Sequence, residues 1–358
     1  MLPYLKPTLA RLWRSPGTLQ IGTHPRRARA VHGLPEGAAP LIAALDGRHG
    51  LSEILRLGRR LGVSRACVHQ IIALLAAAGL LDDAHRRPAG LPPDELARLA
   101  PEIAAVAVAL RTGDGGASVI GRRRGRMVRI YGGGRLGAAI ATTLAASGVG
   151  HIAVRASGET THADVGPGAA GWSDVGRPRS DTVRDAVLRA GPRTRVHDDG
   201  VPDLAVLASS GYVDPLLGAE LVAEGVPHLA VAVREAVGIV GPLVLPGGSS
   251  CLGCMHAVRT DRDPAWPKLH EQLLDGSEDG SAAALVAATA AQAATQALGQ
   301  LDGFASAAVG GTLEVVWPDW RWERRSWPRH PACGCARRRP RVRGGPPRLE
   351  PSAPPADP

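Results

Sequence analysis

One segment constrains this chain more than any other: a strand, a glycine loop and a helix in immediate succession. Met127-Val-Arg-Ile-Tyr131 has strand composition and runs into Gly132-Gly-Gly134-Arg-Leu-Gly137; the helical run Ala138–Ser147 follows. A G-x-G-x-x-G loop in that setting commits its surroundings to an α/β fold with a mainly parallel sheet, because the loop joins a buried strand to the helix that crosses back over it. Glycine lets the backbone approach a phosphate, and the helix N-terminus supplies N–H donors and partial positive charge. The same glycines also permit tight strand–helix packing, so the loop alone leaves both readings open. His151-Ile-Ala-Val154 is the next strand. A ribose-binding acid is expected at its end, about 20 residues after the loop, but Arg155-Ala-Ser157 stand there.

The second constraint is sulfur. Of 5 cysteines, four fall in two tight pairs, Cys251-Leu-Gly-Cys254 and Cys333-Gly-Cys335. Five cysteines in a chain this long are not a disulfide framework. Four thiolates close a tetrahedral structural zinc site with no open position for catalysis, and the fold must bring the two pairs together. A redox C-x-x-C is the alternative, and nothing else in the sequence has a thioredoxin-like pattern. Cys67, inside a helical run, reads as a small buried apolar side chain. His256 and His330 lie near the cysteines in sequence, as surface groups or as partners of the ligands.

The 358 residues suggest two or three domains. Residues 1–83 read as a small winged-helix-like domain. Thr18–Ile21 and Ala28–Gly33 are extended runs separated by Gly22-Thr-His-Pro25, a hairpin signal. Helical patterns follow at Ala38–Leu45, Leu51–Leu61 and, capped by Ser64, up to Ala78. Gly79–Asp82 can return as a strand. Residues 84–125 read as a linker containing a helix from Pro93 to about Leu110. Residues 126–335 alternate strands and helices, and 336–358, with seven Pro and six Arg, read as a disordered tail.

Aromatics make up only 3%, so the core must be built from Ala, Val, Leu and Ile. A mean hydropathy of −0.02 and no long apolar run argue against a membrane protein. Ser281–Leu301, rich in Ala, Gln and Thr, reads as a packing helix. Met1–Arg14 has no signal-peptide pattern, so the expected compartment is the cytoplasm. Residues 1–90 hold 13 Lys/Arg against 5 Asp/Glu, a basic face suited to an acidic partner. The third helix, ACVHQIIALLAAAGLL, offers few side chains that read bases, so no nucleic acid is expected as partner. There is no H-E-x-x-H, G-x-S-x-G or Walker A sequence. Trp317, Trp320, Trp322 and Trp327 crowd a short stretch; Trp320 and Trp322 are expected on one face of a strand, packed on the sheet.

With these residues in view, Gly132–Ile152 resembles the nucleotide loop and following helix of the ThiF/MoeB/HesA adenylyltransferases, relatives of ubiquitin-activating enzymes. Asp174-Val-Gly-Arg-Pro-Arg179 resembles their D-x-G-x-x-K segment. More specifically, Val240–Pro246, the two cysteine pairs, Thr260–Trp266 and His330–Cys335 resemble the actinobacterial ThiF-like proteins described as TOMM precursor leader-peptide-binding or cyclodehydratase-type. Gly17–Gly22 and Leu45-Asp-Gly-Arg48 fit the start of those proteins, and the likeness covers about residues 1–335.

The resemblance implies a Rossmann-like ThiF-type domain with a structural Zn²⁺ at Cys251, Cys254, Cys333 and Cys335, and a nucleotide site at Gly132, Gly134, Gly137 and Arg179. It also implies that the N-terminal domain takes a precursor leader peptide as an added strand, between Arg27–His32 and the face of Ser64–Ala78. It further implies a YcaO-type cyclodehydratase as partner and a homodimer.

Against the catalytic members, the ribose acid is replaced by Arg155-Ala-Ser157, and Gly166–Trp172 lacks their Arg. Arg179 stands for Lys. Leu207 and Ser210 occupy the two acid places of a D-x-x-D-N stretch. Glu159 or Asp164 is left as a substitute acid. ATP and Mg²⁺ are therefore doubtful cofactors, no catalytic residue is assigned, and a non-catalytic scaffold is the favoured reading. The alternative is an active adenylyltransferase acting on a peptide or carrier-protein C-terminus.

Overall fold

A computed structural model describes residues 1–86, 90–274 and 281–337. Its contacts divide the chain into two units, Met1–Arg122 and Arg123–Pro358. Most of the expected Pro/Arg-rich tail lies outside the described residues.

The first unit begins with β1 (Pro3–Leu5), β2 (Arg11–Ser15), β3 (Thr18–Ile21) and β4 (Arg29–Val31). Strands β2, β3 and β4 form an antiparallel sheet in that order, with Leu19 opposite Val31 and Ile21 opposite Arg29. Helices α1 (Ala38–Ala43), α2 (Leu51–Arg60) and α3 (Arg65–Ala77) follow, then β5 (Leu81–Asp83), which pairs with β1. Ser64 caps α3, its Oγ accepting from the Cys67 N–H at 3.2 Å. Val68, Ile72 and Leu75 of α3 join Leu19, Ile21 and Val31 in one apolar core, with Cys67 partly buried against it. Strands β1 and β2 have too few apolar alternations to be read from sequence; β2 is exposed along its whole length. Lys6 is buried and paired with Asp82 at 2.5 Å, tying β1 to the β5 end. Helix α4 (Pro93–Leu110) belongs to this unit, and α5 (Ala117–Arg124) carries the boundary.

The second unit contains β6 (Met127–Tyr131), α6 (Arg135–Ala146), β7 (His151–Arg155), α7 (Arg179–Ala190), β8 (Arg195–Val196) and β9 (Leu204–Ser209). It continues through α8 (Pro215–Glu224), β10 (His228–Arg234), β11 (Val237–Val244), α9 (Leu252–Arg262) and α10 (Trp266–Leu274). It closes with α11 (Ala283–Asp302), β12 (Gly311–Val316) and β13 (Trp322–Ser326). The sheet order is β13-β12-β11-β10-β9-β6-β7-β8. Strands β10, β9, β6, β7 and β8 are mutually parallel, and β11, β12 and β13 add antiparallel.

Both faces of this sheet are covered, which explains its continuous apolar strands. Leu204 and Val206 of β9 pack with α6 and α11, whereas Ala205 and Leu207 pack on the other face with Leu221 of α8 and Leu252 of α9. Helices α6 and α11 are lined with Ala, the small side chains that replace aromatics in this core. Strand β6 pairs with β7 on one side and β9 on the other, so the glycine loop leaves the sheet where the strand order reverses. That point opens a crevice at the carboxyl ends of the strands.

The expectation that Trp320 and Trp322 share a strand face packed on the sheet fails. Trp320 sits in a turn at positive φ, outside β13, and Trp317, Trp320 and Trp322 are exposed. Only Trp327 is buried, its Nε1 donating to Thr312 Oγ1 at 3.0 Å.

Candidate functional site

The glycine loop lines a cleft of about 450 Å³ together with Ser157, Asp164, Arg179, Ser209 and Ser210. The glycines have different reasons for being glycine. At Gly132, which lies at φ +113, a Cβ would fall 2.1 Å from the Ala208 carbonyl oxygen; at Gly137 it would fall 2.0 Å from that of Gly132. Both are required by packing. At Gly134, the N-cap of α6, the nearest atom to a Cβ is an Asp164 carboxylate oxygen at 3.5 Å, so packing leaves room for a methyl group. Gly134 is thus the glycine whose bare backbone faces the ligand space, beside the N–H groups that begin α6.

Two arginines of this cleft, Arg179 and Arg155, are ion-paired, and a third, Arg135, donates through Nη2 to the Ser281 carbonyl at 2.7 Å. Arg179 begins α7, and its Nη2 donates to Asp164 Oδ2 at 2.9 Å, while Nη1 donates to the Ser157 carbonyl at 3.1 Å. The same carboxylate oxygen accepts from the Thr161 N–H at 2.8 Å and Oγ1 at 3.0 Å. Arg155, at the ribose-acid position, donates to Asp198 at 2.7 Å, a carboxylate it shares with Arg129 at 2.6 Å. These donors hold Asp198 below the usual carboxylate range against its burial.

Of the two acid places in the β9 stretch, Ser210 lines the cleft. Leu207 does not: it is buried on the opposite face of the sheet. Glu159 also lies outside the cleft, next to Pro178. Asp174 stays at its own turn, accepting from the Gly171 N–H at 2.8 Å and Arg177 at 2.6 Å. Asp164 was visible in the sequence only as one of two candidate acids; its closeness to Gly134 and Arg179 required the fold.

The four cysteines converge. Their sulfur atoms lie within 4.8 Å of one another, with Cys251–Cys254 at 3.9 Å, Cys251–Cys333 at 3.6 Å and Cys254–Cys335 at 3.4 Å. A tetrahedral ion with metal–sulfur bonds of about 2.3 Å needs sulfur–sulfur edges of about 3.8 Å, so the donor set fits a metal ion. Cys251 is the N-cap of α9, and Cys254 sits in its first turn. They pack with Val222 and Val244, while Cys333 and Cys335 come from the chain that follows β13. Without an ion the sulfurs cannot all ionise: burial pushes Cys251 up to about 11 and raises Cys335 further. Cys254 is lowered to about 7, with burial opposing backbone contacts at His330 and Cys251 and the sulfurs of Cys335 and Cys333. A cation reverses that repulsion. His330 holds this end by accepting from the Cys333 N–H through its carbonyl, while its ring meets Asp261 at 2.8 Å. His256 turns away from the sulfurs into an aromatic cluster, where its Nδ1 accepts from Trp266 Nε1 at 3.2 Å. No linear pattern marks that cluster, whose members are spread from Tyr212 to His270.

No family model matches this sequence, and no curated protein matches it significantly. Solved structures do share its fold. MccB of E. coli, crystallised with AMPCPP and MccA, superposes with a TM-score of 0.72 at 14% identity, covering 93% of this chain and 99% of that one. A structure described as the microcin C7 biosynthetic enzyme MccB in complex with N-formylated MccA gives 0.67 at 14% identity, covering 93% and 99%. PaaA gives 0.69 at 18% identity, covering 89% and 98%. No described helix is long and apolar enough to cross a membrane. On this architecture and this likeness, the chain has the ThiF-like fold.

Proposed function

We propose that this chain is a leader-peptide-binding scaffold in the biosynthesis of a ribosomally made, post-translationally modified peptide of the thiazole/oxazole type. Its first unit holds the precursor, and its second unit docks a YcaO-type cyclodehydratase, raising the local concentration of the core peptide there. It acts in the cytoplasm, as a homodimer, with Zn²⁺ held by Cys251, Cys254, Cys333 and Cys335 as a staple for the chain end.

The observation that carries the non-catalytic reading is the glycine cleft. Asp164, its carboxylate, is bonded to Arg179 and Thr161, while Leu207 points away and Ser210 offers a hydroxyl. Adenylation needs a carboxylate to hold Mg²⁺ and cations free to meet charge building on the α-phosphate.

The peptide reading is supported by the first unit. Among the described residues, strand β4 is paired on one side only, to β3, which leaves an edge for an added strand. On α3, Cys67, Ile71 and Leu74 form a partly exposed apolar flank beside the buried stripe, with Leu74 well exposed. Arg26, Arg27 and Arg29 add positive charge around the strand, suited to a leader rich in Asp and Glu. MccB, which shares the fold across both units, has been crystallised with the peptide MccA.

The test is a titration of the full chain with leader peptides encoded beside its gene. Binding that falls at least tenfold in Leu74→Asp, with the melting temperature unchanged, supports the scaffold. Equal affinity in that variant, or no binding to any such leader, removes it. The second reading, an adenylyltransferase acting on a peptide or carrier-protein C-terminus, draws on the open glycine loop and on the MccB structure that contains AMPCPP. Mg²⁺-dependent ATP–pyrophosphate exchange sensitive to changes at Gly134 or Arg179 would establish it.

A further inference from the structure

The loop leaving β9 serves two spaces at the same edge of the sheet. Ser209 and Ser210 face the glycine cleft, while Tyr212 enters a second, smaller cavity of about 50 Å³. Around that cavity stand Arg234 at the end of β10, His256 and Arg259 of α9, and Trp266 and His270 of α10. The Arg234 guanidinium lies 3.9 Å from the Tyr212 ring centroid, and that of Arg259 lies 4.7 Å from the Trp266 centroid. The His270 ring is 5.1 Å from His256 and 5.7 Å from Tyr212.

What sets this cluster apart is missing counter-charge. Elsewhere the protein pairs its buried arginines, as Arg123 with Asp302 at 2.7 Å and Arg129 with Asp198 at 2.6 Å. Among the described residues, the guanidinium groups of Arg234 and Arg259 have no carboxylate within ion-pair distance and no hydrogen bond, only the faces of aromatic rings. His270 is only 8% exposed, and neither of its ring nitrogens has a partner there. Cation–π contact satisfies a ring face and leaves the N–H edge of the guanidinium unused. Burial first, then neighbouring basic groups, lowers both Arg259 and His270, while Glu314 and Asp214, beyond ion-pair distance, act on them in the opposite direction. Half-buried guanidinium groups with no carboxylate in contact cost free energy that a bound anion returns as binding.

We propose that this cavity is a carboxylate-binding site, distinct from the glycine cleft and independent of the leader-peptide reading. A planar carboxylate matches the guanidinium fork, fits the volume, and can lie against the flanking rings with the rest of its molecule outside. Its bearer is either a peptide carboxylate or a free small acid.

The test uses the full chain. Benzoate, a short peptide with a free C-terminal carboxylate, its carboxamide twin and inorganic phosphate are titrated separately, read by tryptophan fluorescence and by the shift in melting temperature. Saturable binding of benzoate, or of the acid peptide but not the carboxamide, is expected, and which of them binds identifies the bearer. Arg234→Gln and Arg259→Gln should each weaken it at least tenfold, while Arg259→Lys keeps part of it, with circular dichroism unchanged. The melting shift on wild-type protein stands even where a variant fails to fold. No saturable binding and no melting shift with either carboxylate probe overturns the proposal, as does binding of phosphate alone or equal affinity in a folded Arg234→Gln protein.

Discussion

At the cysteine cluster, donors from two segments, with Cys251 and Cys333 82 positions apart, meet sulfur to sulfur with no cationic side chain paired to them among the described residues. At the glycine cleft, two of the arginines that reach the ligand space are already ion-paired, Arg179 to Asp164 and Arg155 to Asp198. The first arrangement is high in energy until an ion arrives, because buried sulfurs repel one another once ionised. At the second, a nucleotide would have to compete with the ion pairs already present. A ligand site is marked by donors left without partners, and fold likeness alone does not supply them.

The hardest blow to that contrast falls on the sulfurs. Cys254→Ser should release the metal and cost more than about 4 kcal/mol, since the three remaining sulfurs, two of them buried, lose their ion. Metal analysis and urea unfolding measure this, and a fully stable, metal-free variant would make the cluster ordinary core.

Near that cluster, acid should act through His228, at the start of β10, opposite Val244. Burial lowers it to about 4, and its Nε2 is buried without a partner while Nδ1 lies against the Val226 carbonyl. The folded value is below the unfolded one, so the unfolded chain binds the extra proton. Stability is full above about pH 6.5 and falls as pH drops toward 4, by on the order of 3 kcal/mol. The difference in pH slope between wild type and His228→Leu isolates it from acid release of metal.

At the glycine loop, Gly137→Ala should destabilise by about 1–3 kcal/mol, because its Cβ meets backbone. Gly134→Ala should leave unfolding within about 0.5 kcal/mol. If the two unfold alike, the division of the loop into packing and ligand-facing glycines is wrong. The smallest expected effect is Arg179→Gln: leader affinity should change less than twofold, and pyrophosphate exchange should be absent before and after. A loss of measurable exchange on that substitution would show that the cleft works despite its ion pairs.

Local signals were legible wherever short-range chemistry dictates structure. Ser64 capping α3, Pro93 opening α4 and the glycine loop between β6 and α6 could each be read from adjacent residues. Strands β1 and β2 escaped because they are short and carry no alternation. The tryptophan stretch misled because a turn at Trp320 breaks the strand register that the spacing implied.

By itself, the sequence determined the α/β class and the two cysteine pairs, since strand–glycine–helix succession and thiol spacing are local chemistry. Only the tertiary structure decided that Asp164 meets Arg179, that Leu207 faces away from the cleft, and that Arg234 and Arg259 stand together without a carboxylate. Whether a charge is free or spent depends on neighbours brought from distant positions, and a linear pattern does not record them.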